Sequence, residues 1–296
     1  MKKGRMPKTM LFMLLLAMSL VVAACGSNGG NMAAQPSQAA ETGGNAEATE
    51  TPAETSEPVS IKVAVLIPPM TDILDIAKPL LLEQGVDMEI VVMSDNVQPN
   101  DALANGEVDA NFFQHVPYME QFNESKGASL TPVQTVYNAI YAGYSKRYGS
   151  IGELPDGATL VMANDPSNTG RSLHMFADAG LITLAEGTGL NATQSDITDN
   201  PKNFKFEEVD LLMLPRMLDD ADLVAMTPAY ASPLGLTPVK DGLITENEDG
   251  TFAITVVARE DNADSEAIRK LAEVVSGPEV RAFLEENYAD IAIPAF

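Results

Sequence analysis

The 296-residue sequence has one cysteine, Cys25, and only two histidines, His115 and His174. One thiol cannot form an intrachain disulfide framework or a cysteine-rich metal site. The histidines and acidic residues also lack the spacing of a metal site, so we expect no metal and no cofactor. A serine nucleophile needs a base positioned beside it. None of the sequence motifs that mark such a serine is complete in this chain. We therefore expect no catalytic residues and predict that the protein is not an enzyme.

Basic residues are also scarce. The chain has 18 Lys and Arg against 42 Asp and Glu, which gives a formal net charge of −24. Residues 1–24 hold four of the 18 basic and none of the 42 acidic side chains, so the remaining chain carries 14 − 42 = −28. A field of that sign repels nucleic acid and anionic lipid headgroups. We expect no nucleic-acid partner, and we attribute the acidity to solubility.

The long apolar run near the N-terminus, residues 10–24, is too short for a comfortable membrane span. It follows four basic residues and ends at Cys25, which is the order of a secretory signal peptide. The Val-Ala-Ala-Cys segment at 22–25 resembles a bacterial lipobox, which implies cleavage after residue 24 and lipid on Cys25. The alternative is an ordinary signal peptide with a chance cysteine. Several acyl chains would anchor the protein to the extracytoplasmic face of the cell membrane.

Aromatic and basic residues are absent from the next segment, which runs from residue 26 to about residue 58. Such a tract cannot bury enough apolar area to offset its chain entropy. We predict that residues 25–59 consist of the lipidated cysteine and a disordered tether. About 33 flexible residues reach about 30–35 Å, which keeps a folded domain near the membrane.

From residue 61 onward, short β-branched runs alternate with helical patterns, which is typical of an α/β lobe with a mainly parallel sheet. Ligands on such sheets bind outside the carboxyl ends of the strands. The segments that follow the first three predicted strands, residues 69–71, 94–96 and 113–115, should therefore converge.

A tyrosine-rich extended stretch, residues 130–145, is long enough to cross to a second lobe. We expect residues 60–138 and 232–296 to form lobe 1 and residues 139–231 to form lobe 2. Within lobe 1, residues 242–245 and 252–258 are predicted to form a hairpin that turns at Glu248-Asp249-Gly250. A cleft between two such lobes commonly encloses a small ligand.

The segment Asn-Asp-Pro-Ser-Asn-Thr-Gly-Arg, residues 164–171, lies between a predicted strand at 158–163 and a helical pattern. A helix N-terminus offers unpaired N–H groups to an anion. A cation in the first turn opposes the helix dipole, so Arg171 needs a solvated position or an anionic partner. We hypothesise that the partner is a ligand carboxylate. The alternative is a solvated surface arginine with Asp165 as a plain helix cap. On the ligand hypothesis, Arg171→Ala should weaken binding and leave folding nearly intact.

Three segments of the sequence carry a resemblance: Asp-Ala-Asn-Phe-Phe-Gln-His-Val-Pro-Tyr at 109–118, the segment at 164–171, and Leu-Pro-Arg-Met-Leu-Asp-Asp at 214–220. They closely resemble the signature segments of the methionine-binding lipoproteins (NlpA/MetQ type) of ABC importers. The similarity runs from about residue 61 to the C-terminus. It implies a two-lobed periplasmic-binding-protein fold, α/β with mainly parallel sheets and crossing interlobe strands. It also implies a lipid anchor and two partners, a membrane permease and its ATPase subunit.

The resemblance also implies a set of ligand-binding residues. Arg171 would pair with the ligand carboxylate, and the aromatic and histidine positions of 109–118 would line the side-chain pocket. Neighbouring strand residues face opposite sides, so only one of Phe112 and Phe113 can face the cleft. His115 could instead be a structural histidine. The expected ligand-binding residues are Arg171, Asn168, His115, Phe112, Phe113, Tyr118, Thr227, Met70, Asn96 and Tyr141.

The sequence departs from the family at several pocket positions. Family members often have histidine at 70, tyrosine at 96, Tyr-Pro at 139–140 and asparagine at 227, where this chain has Met70, Asn96, Ala139-Ile140 and Thr227. Threonine cannot reproduce the two-ended hydrogen bonding of an amide, and a lost polar partner costs about 1–3 kcal/mol unless another group replaces it. An aromatic ring or amide could fill the vacated space, or could instead serve in lobe packing; the candidates are Tyr137, Tyr141 and Asn138.

These departures leave three functions open. We expect the ligand to be an amino acid, and methionine is the foremost candidate. A different amino acid, a short peptide or a small carboxylate bound by the same fold is the alternative. A surface lipoprotein or adhesin without a ligand is a more remote possibility.

Overall fold

The computed structural model describes residues 57–247 and 249–296. The predicted signal peptide, the lipidation site at Cys25 and the tether as far as residue 56 lie outside the described residues. No helix in the described ranges is long and apolar enough to cross a membrane.

Two sheets organise the described chain, with helices packed on their faces. The first part of the chain forms β1 (Val59–Val65), α1 (Met70–Glu83), β2 (Val86–Val92), α2 (Gln98–Ala104), β3 (Ala110–His115), α3 (Val116–Lys126), β4 (Leu130–Ala139), β5 (Ala142–Tyr144), β6 (Thr159–Ala163) and α4 (Pro166–Asp178). The middle part forms β7 (Thr183–Leu184), β8 (Ile197–Asp199), β9 (Lys205–Val209), α5 (Leu214–Met217), β10 (Leu223–Met226), α6 (Pro228–Ala231), α7 (Pro238–Asp241) and β11 (Gly242–Thr245). The last part forms β12 (Ile254–Arg259), α8 (Glu266–Val275), α9 (Pro278–Asn287) and β13 (Ala292–Pro294).

The first sheet has the order β13-β4-β12-β3-β1-β2. β1 runs parallel to both β2 and β3, as the alternating sequence pattern predicts. β12 is antiparallel to β3 and β4. One core joins this sheet to α1, α8 and α9, with Leu74, Leu271 and Leu284 fully buried. We call the chain around this sheet the first lobe.

The second sheet has the order β11-β5-β10-β6-β9. β6 is parallel to β9 and β10, while β5 is antiparallel to β10 and β11. Leu173 and Phe176 of α4 pack on one face of this sheet, and Leu214 and Ala231 belong to a separate cluster with α5 and α6. We call the chain around this sheet the second lobe.

The predicted hairpin between residues 242–245 and 252–258 is wrong. β11 pairs with β5 in the second sheet, whereas β12 pairs with β3 and β4 in the first. The Ile244 side chain lies over Gly143 and belongs to the second lobe's core. Apolar burial against β5 therefore decides the position of β11. Of the predicted turn residues, Asp249 and Gly250 lie in a connection between two lobes, and Glu248 lies outside the described residues.

Two short crossing segments thus join the lobes. The first, residues 140–141, links β4 to β5 close to the predicted boundary. The second, residues 246–253, links β11 to β12, so the chain returns to the first lobe after residue 245 and not at residue 232.

Candidate ligand-binding site

A pocket lies between the lobes, at the carboxyl ends of the parallel strands of both sheets. The segments after β1 and β2 and the end of β3 line it from the first lobe, and residues that follow β6, β9 and β10 line it from the second. Ligand sites of open α/β sheets form at such strand ends. The expected convergence of segments 69–71, 94–96 and 113–115 is therefore confirmed by Pro69, Asn96 and His115, which all line the pocket.

Most of the expected ligand-binding residues line this pocket. Those that do are Met70, Asn96, Phe113, His115, Tyr118, Asn168 and Thr227. Arg171, Phe112 and Tyr141 do not line it. Gln114, from the segment expected to converge, also lines the pocket, as do Tyr230 and Ile254, which the sequence did not single out. The position of Tyr230 shortly after β10 was the available signal, whereas Ile254 begins β12.

The two neighbouring phenylalanines of β3 face opposite sides, as strand geometry requires. Phe113 lines the pocket and meets the Tyr118 ring edge-on, with ring centroids 5.9 Å apart. Phe112 is fully buried in the core of the first lobe, where its ring lies edge-on to Tyr137. Phe112 is thus a core residue, and including it among the ligand-binding residues was wrong.

His115 connects the two lobes through its side chain. It is the N-cap of α3, and its Nδ1 accepts a hydrogen bond from the Tyr118 backbone N–H at 3.2 Å. The proton therefore resides on Nε2, which donates to Asn168 Oδ1 at 3.2 Å. The Asn168 amide in turn donates to both carboxylate oxygens of Asp165. This chain of hydrogen bonds makes His115 a structural residue that also lines the pocket.

Burial, and next the positive charge of Arg171, lower the pKa of His115 from its ordinary 6.5 to about 3. A buried neutral histidine must take up a proton when the chain unfolds below pH 6.5. The stability it contributes is therefore complete above pH 6.5 and is lost as the pH falls from 6.5 towards 3.

We expect the unfolding free energy of the wild type to fall, relative to His115→Gln, by up to about 1.4 kcal/mol for each pH unit below about 6.5. Urea titrations of both proteins between about pH 4 and pH 7 measure this difference. His174→Gln is the matched control, because His174 lies on the surface, where its ring bonds the Gly189 carbonyl. Parallel pH profiles for the wild type and His115→Gln would contradict the assignment.

Asn96 forms a second polar link between the lobes. Its side-chain oxygen accepts a hydrogen bond from the Tyr230 hydroxyl at 3.1 Å, and its backbone oxygen accepts one from the Tyr118 hydroxyl at 3.0 Å. Burial raises the pKa of Tyr230 to about 12, so its hydroxyl remains a neutral donor. The lobes are therefore closed over the pocket on two sides.

A buried amide cluster holds the part of β3 that lines the pocket. Asn100 donates to Gln114 Oε1 at 2.7 Å, Asn111 donates to Asn100 Oδ1 at 2.8 Å, and Gln114 donates to Asn111 Oδ1 at 2.9 Å. A buried polar network whose members satisfy one another rigidifies its surroundings. Gln114 thus fixes the pocket wall, and its amide is occupied by protein partners.

The helix with the Asn-Asp-Pro-Ser-Asn-Thr-Gly-Arg segment begins earlier than expected. α4 starts at Pro166, and its N-cap Asp165 accepts a hydrogen bond from the Asn168 backbone N–H at 3.0 Å. Arg171 therefore lies in the second turn, and the prediction that it lies in the first turn is wrong. The helix dipole falls off beyond the first turn, so it does not explain what Arg171 binds.

Arg171 is one of the most buried side chains of the protein, with 1% of its side chain exposed, so the solvated alternative is also wrong. Its Nε donates to Glu246 Oε2 at 2.7 Å, and its Nη2 donates to Glu246 Oε1 and to the Ala139 carbonyl. The rings of Tyr141 and Phe252 cover the guanidinium at 4.4 and 4.5 Å. Arg171 thus contacts both crossing segments.

The third guanidinium nitrogen of Arg171, Nη1, is buried and has no hydrogen-bond partner among the described residues. A buried donor left unpaired costs about 1–3 kcal/mol, so such a group normally has a partner. Arg171 lies directly behind the pocket wall, because Ala139 and Asn168 line the pocket and His115 feels its charge. Nη1 is therefore a buried donor without a protein partner in the described part of the chain, on a residue whose Nη2 bonds the carbonyl of the lining residue Ala139.

Tyr141 has a packing role. Its hydroxyl hydrogen-bonds Ser172 Oγ at 2.8 Å, and its ring lies on the Arg171 guanidinium. It belongs to the core of the second lobe and does not line the pocket. Of the two roles considered for Tyr141, lobe packing is the one that the structure supports, and this packing lies within the second lobe.

Comparison with known proteins places this architecture in a family. A family model described as NlpA lipoprotein matches residues 61–296. The D-methionine-binding lipoprotein MetQ of Salmonella typhimurium is 41% identical over 227 residues, which cover 76% of this chain and 84% of the relative.

Two solved structures share the fold. A nutrient-binding protein from Burkholderia cenocepacia bound to methionine is 33% identical with a TM-score of 0.77, and the match covers 80% of this chain and 100% of that one. An ABC-transporter periplasmic substrate-binding protein from Coxiella burnetii is 36% identical with a TM-score of 0.76, over 79% and 100% of the two chains. The predicted two-lobed α/β fold is confirmed. The prediction of mainly parallel sheets is wrong: both sheets are mixed, because β4, β5, β11, β12 and β13 pair antiparallel with their neighbours. The chain belongs to the NlpA lipoprotein family.

Proposed function

We propose that this protein is the solute-binding component of an ABC importer and that it encloses an amino acid between its lobes. Methionine is the foremost candidate for this ligand. The observation that carries the proposal is the buried, unpaired Nη1 of Arg171 behind the wall of a largely apolar pocket. A ligand carboxylate at this nitrogen would satisfy it. The names of the MetQ relative and of the Burkholderia structure support methionine as the ligand.

The pocket offers surroundings that suit a thioether side chain. Phe113, Tyr118 and Tyr137 present aromatic rings, and Met70 and Ile254 add apolar surface. Sulfur next to an aromatic ring edge gains about 0.3–1.5 kcal/mol and needs no hydrogen-bond partner. The ligand side chain would occupy this aromatic part, with its carboxylate directed towards Arg171.

Ligand capture would work by closure of the two lobes. The ligand enters when the lobes are apart, and the hydrogen bonds from His115 to Asn168 and from Tyr230 to Asn96 form as they close. We propose that lipid on Cys25 holds the protein at the extracytoplasmic face of the cell membrane. From there it would deliver the ligand to a permease driven by an ATPase subunit.

A thermal-shift screen tests the function. We expect methionine to raise the melting temperature, because ligand at 100 times its dissociation constant stabilises the folded state by about 2.7 kcal/mol. For a domain of this size that is a shift of about 5–10 °C. Both enantiomers should be measured, since the MetQ relative is named for D-methionine.

The same screen includes the other amino acids, dipeptides and small carboxylates. A shift with another amino acid would replace methionine and leave the solute-binding function in place. The absence of a shift with every amino acid and dipeptide would contradict the importer function and favour a lipoprotein without a ligand.

A further inference from the structure

The pocket is lined entirely by uncharged side chains. Its lining contains no Asp, Glu, Lys or Arg within the described ranges, and its histidine, His115, is neutral. A ligand that carries a net charge would therefore lose its hydration without meeting an opposite charge on the wall itself. The cation next to the wall is Arg171, whose Nη2 bonds the carbonyl of the lining residue Ala139, so the charge balance around this arginine decides which ligand charge is tolerated.

Glu246 already balances the charge of Arg171. Its two carboxylate oxygens accept from Nε and Nη2, and its side chain is only 13% exposed. Two more carboxylates lie close by: Asp249 lines the same small hollow as Arg171 and Glu246, and Asp165 bonds to Asn168 at the pocket. The region around the guanidinium therefore has no surplus positive charge.

We propose that Glu246 is a specificity-determining residue that makes this site select zwitterionic amino acids over carboxylates without an ammonium group. An amino acid brings its own positive charge, so its carboxylate can bond Nη1 while the ligand as a whole stays neutral. A simple carboxylate would place a net negative charge beside a guanidinium that is already neutralised. Glu246 acts through Arg171 and is a positioning residue, because it does not line the pocket itself. The inference rests on the proposed amino-acid-binding function.

The test compares two ligands that differ only in the amino group, methionine and 4-(methylthio)butanoate. Calorimetry gives the dissociation constants of both for the wild type and for Glu246→Gln, which keeps the side-chain shape and removes the charge. We expect the wild type to bind methionine at least about 100-fold more tightly than the butanoate. In Glu246→Gln this ratio should fall by at least about tenfold, because the site now carries one uncompensated positive charge.

The ratio separates a charge effect from a loss of structure, since a poorly folded variant would bind both ligands less well in proportion. Glu266→Gln is the matched control: Glu266 lies on the surface and pairs with Lys270, so the ratio should stay at the wild-type value. If the wild type binds methionine and the butanoate equally, or if the ratio is the same in Glu246→Gln, the inference is overturned and the solute-binding function stands. If the wild type binds no amino acid, the proposed function fails and the inference fails with it.

Discussion

Arg171→Ala is expected to lower the free energy of unfolding by about 3–5 kcal/mol and to abolish ligand binding at micromolar concentrations. The variant leaves the Glu246 carboxylate in a largely buried position without its bidentate partner, and it empties the space between Tyr141 and Phe252. Urea denaturation measures the first effect and calorimetry with the ligand from the screen measures the second. The sequence predicted that folding would remain nearly intact, because the ligand was the expected partner of Arg171. The ion pair with Glu246 instead predicts a large loss of stability.

A double variant, Arg171→Met with Glu246→Gln, separates the two roles of the arginine. Removing both charges leaves no unpaired buried ion, so most of the lost stability should return. Ligand binding should not return, because the donor at Nη1 is still missing. A double variant as unstable as Arg171→Ala would contradict the ion-pair interpretation. An Arg171→Ala protein that binds the ligand like the wild type would show that the carboxylate lies elsewhere.

Gly170→Ala is expected to cost about 3 kcal/mol of stability and to weaken ligand binding. A Cβ at this position would lie 1.9 Å from the Leu190 carbonyl oxygen and 2.8 Å from the Ala192 backbone nitrogen. Both atoms are backbone, so α4 and the 190–192 segment must move apart. The better helix propensity of alanine, about 1 kcal/mol, is too small to offset this clash. Because Asn168 and Arg171 lie in the same two turns, their positions at the pocket shift as well.

Gly189→Ala is the matched control for this glycine. No atom lies within 4 Å of a Cβ placed there, although the residue adjoins the same 190–192 segment. Its unfolding free energy should stay within about 0.5 kcal/mol of the wild-type value. Denaturant titrations of both variants measure the comparison. Equal stability of Gly170→Ala and Gly189→Ala would contradict the close packing of α4 on the backbone of residues 190–192.

Much of the local structure follows from the sequence. The alternation of strands and helices predicts the parallel β1, β2 and β3, and the twofold strand period requires that Phe112 and Phe113 face opposite sides. The start of α4 was also readable, since Asp165 followed by Pro166 is a cap followed by a proline at the first helical position. The apolar periodicity begins only after residue 171 and therefore predicts too late a start.

What the sequence determined by itself was therefore local: the two-lobed α/β pattern, the crossing stretch after residue 130, and the strand ends that meet at the pocket. Backbone preferences and apolar periodicity act over a few residues, and a linear pattern records them. Only the tertiary structure assigned β11 to the second sheet and Glu246 to Arg171, which lies 75 residues away in the sequence. Both outcomes depend on which surfaces are buried together, and before folding each of the 42 acidic side chains is an equivalent partner for one arginine.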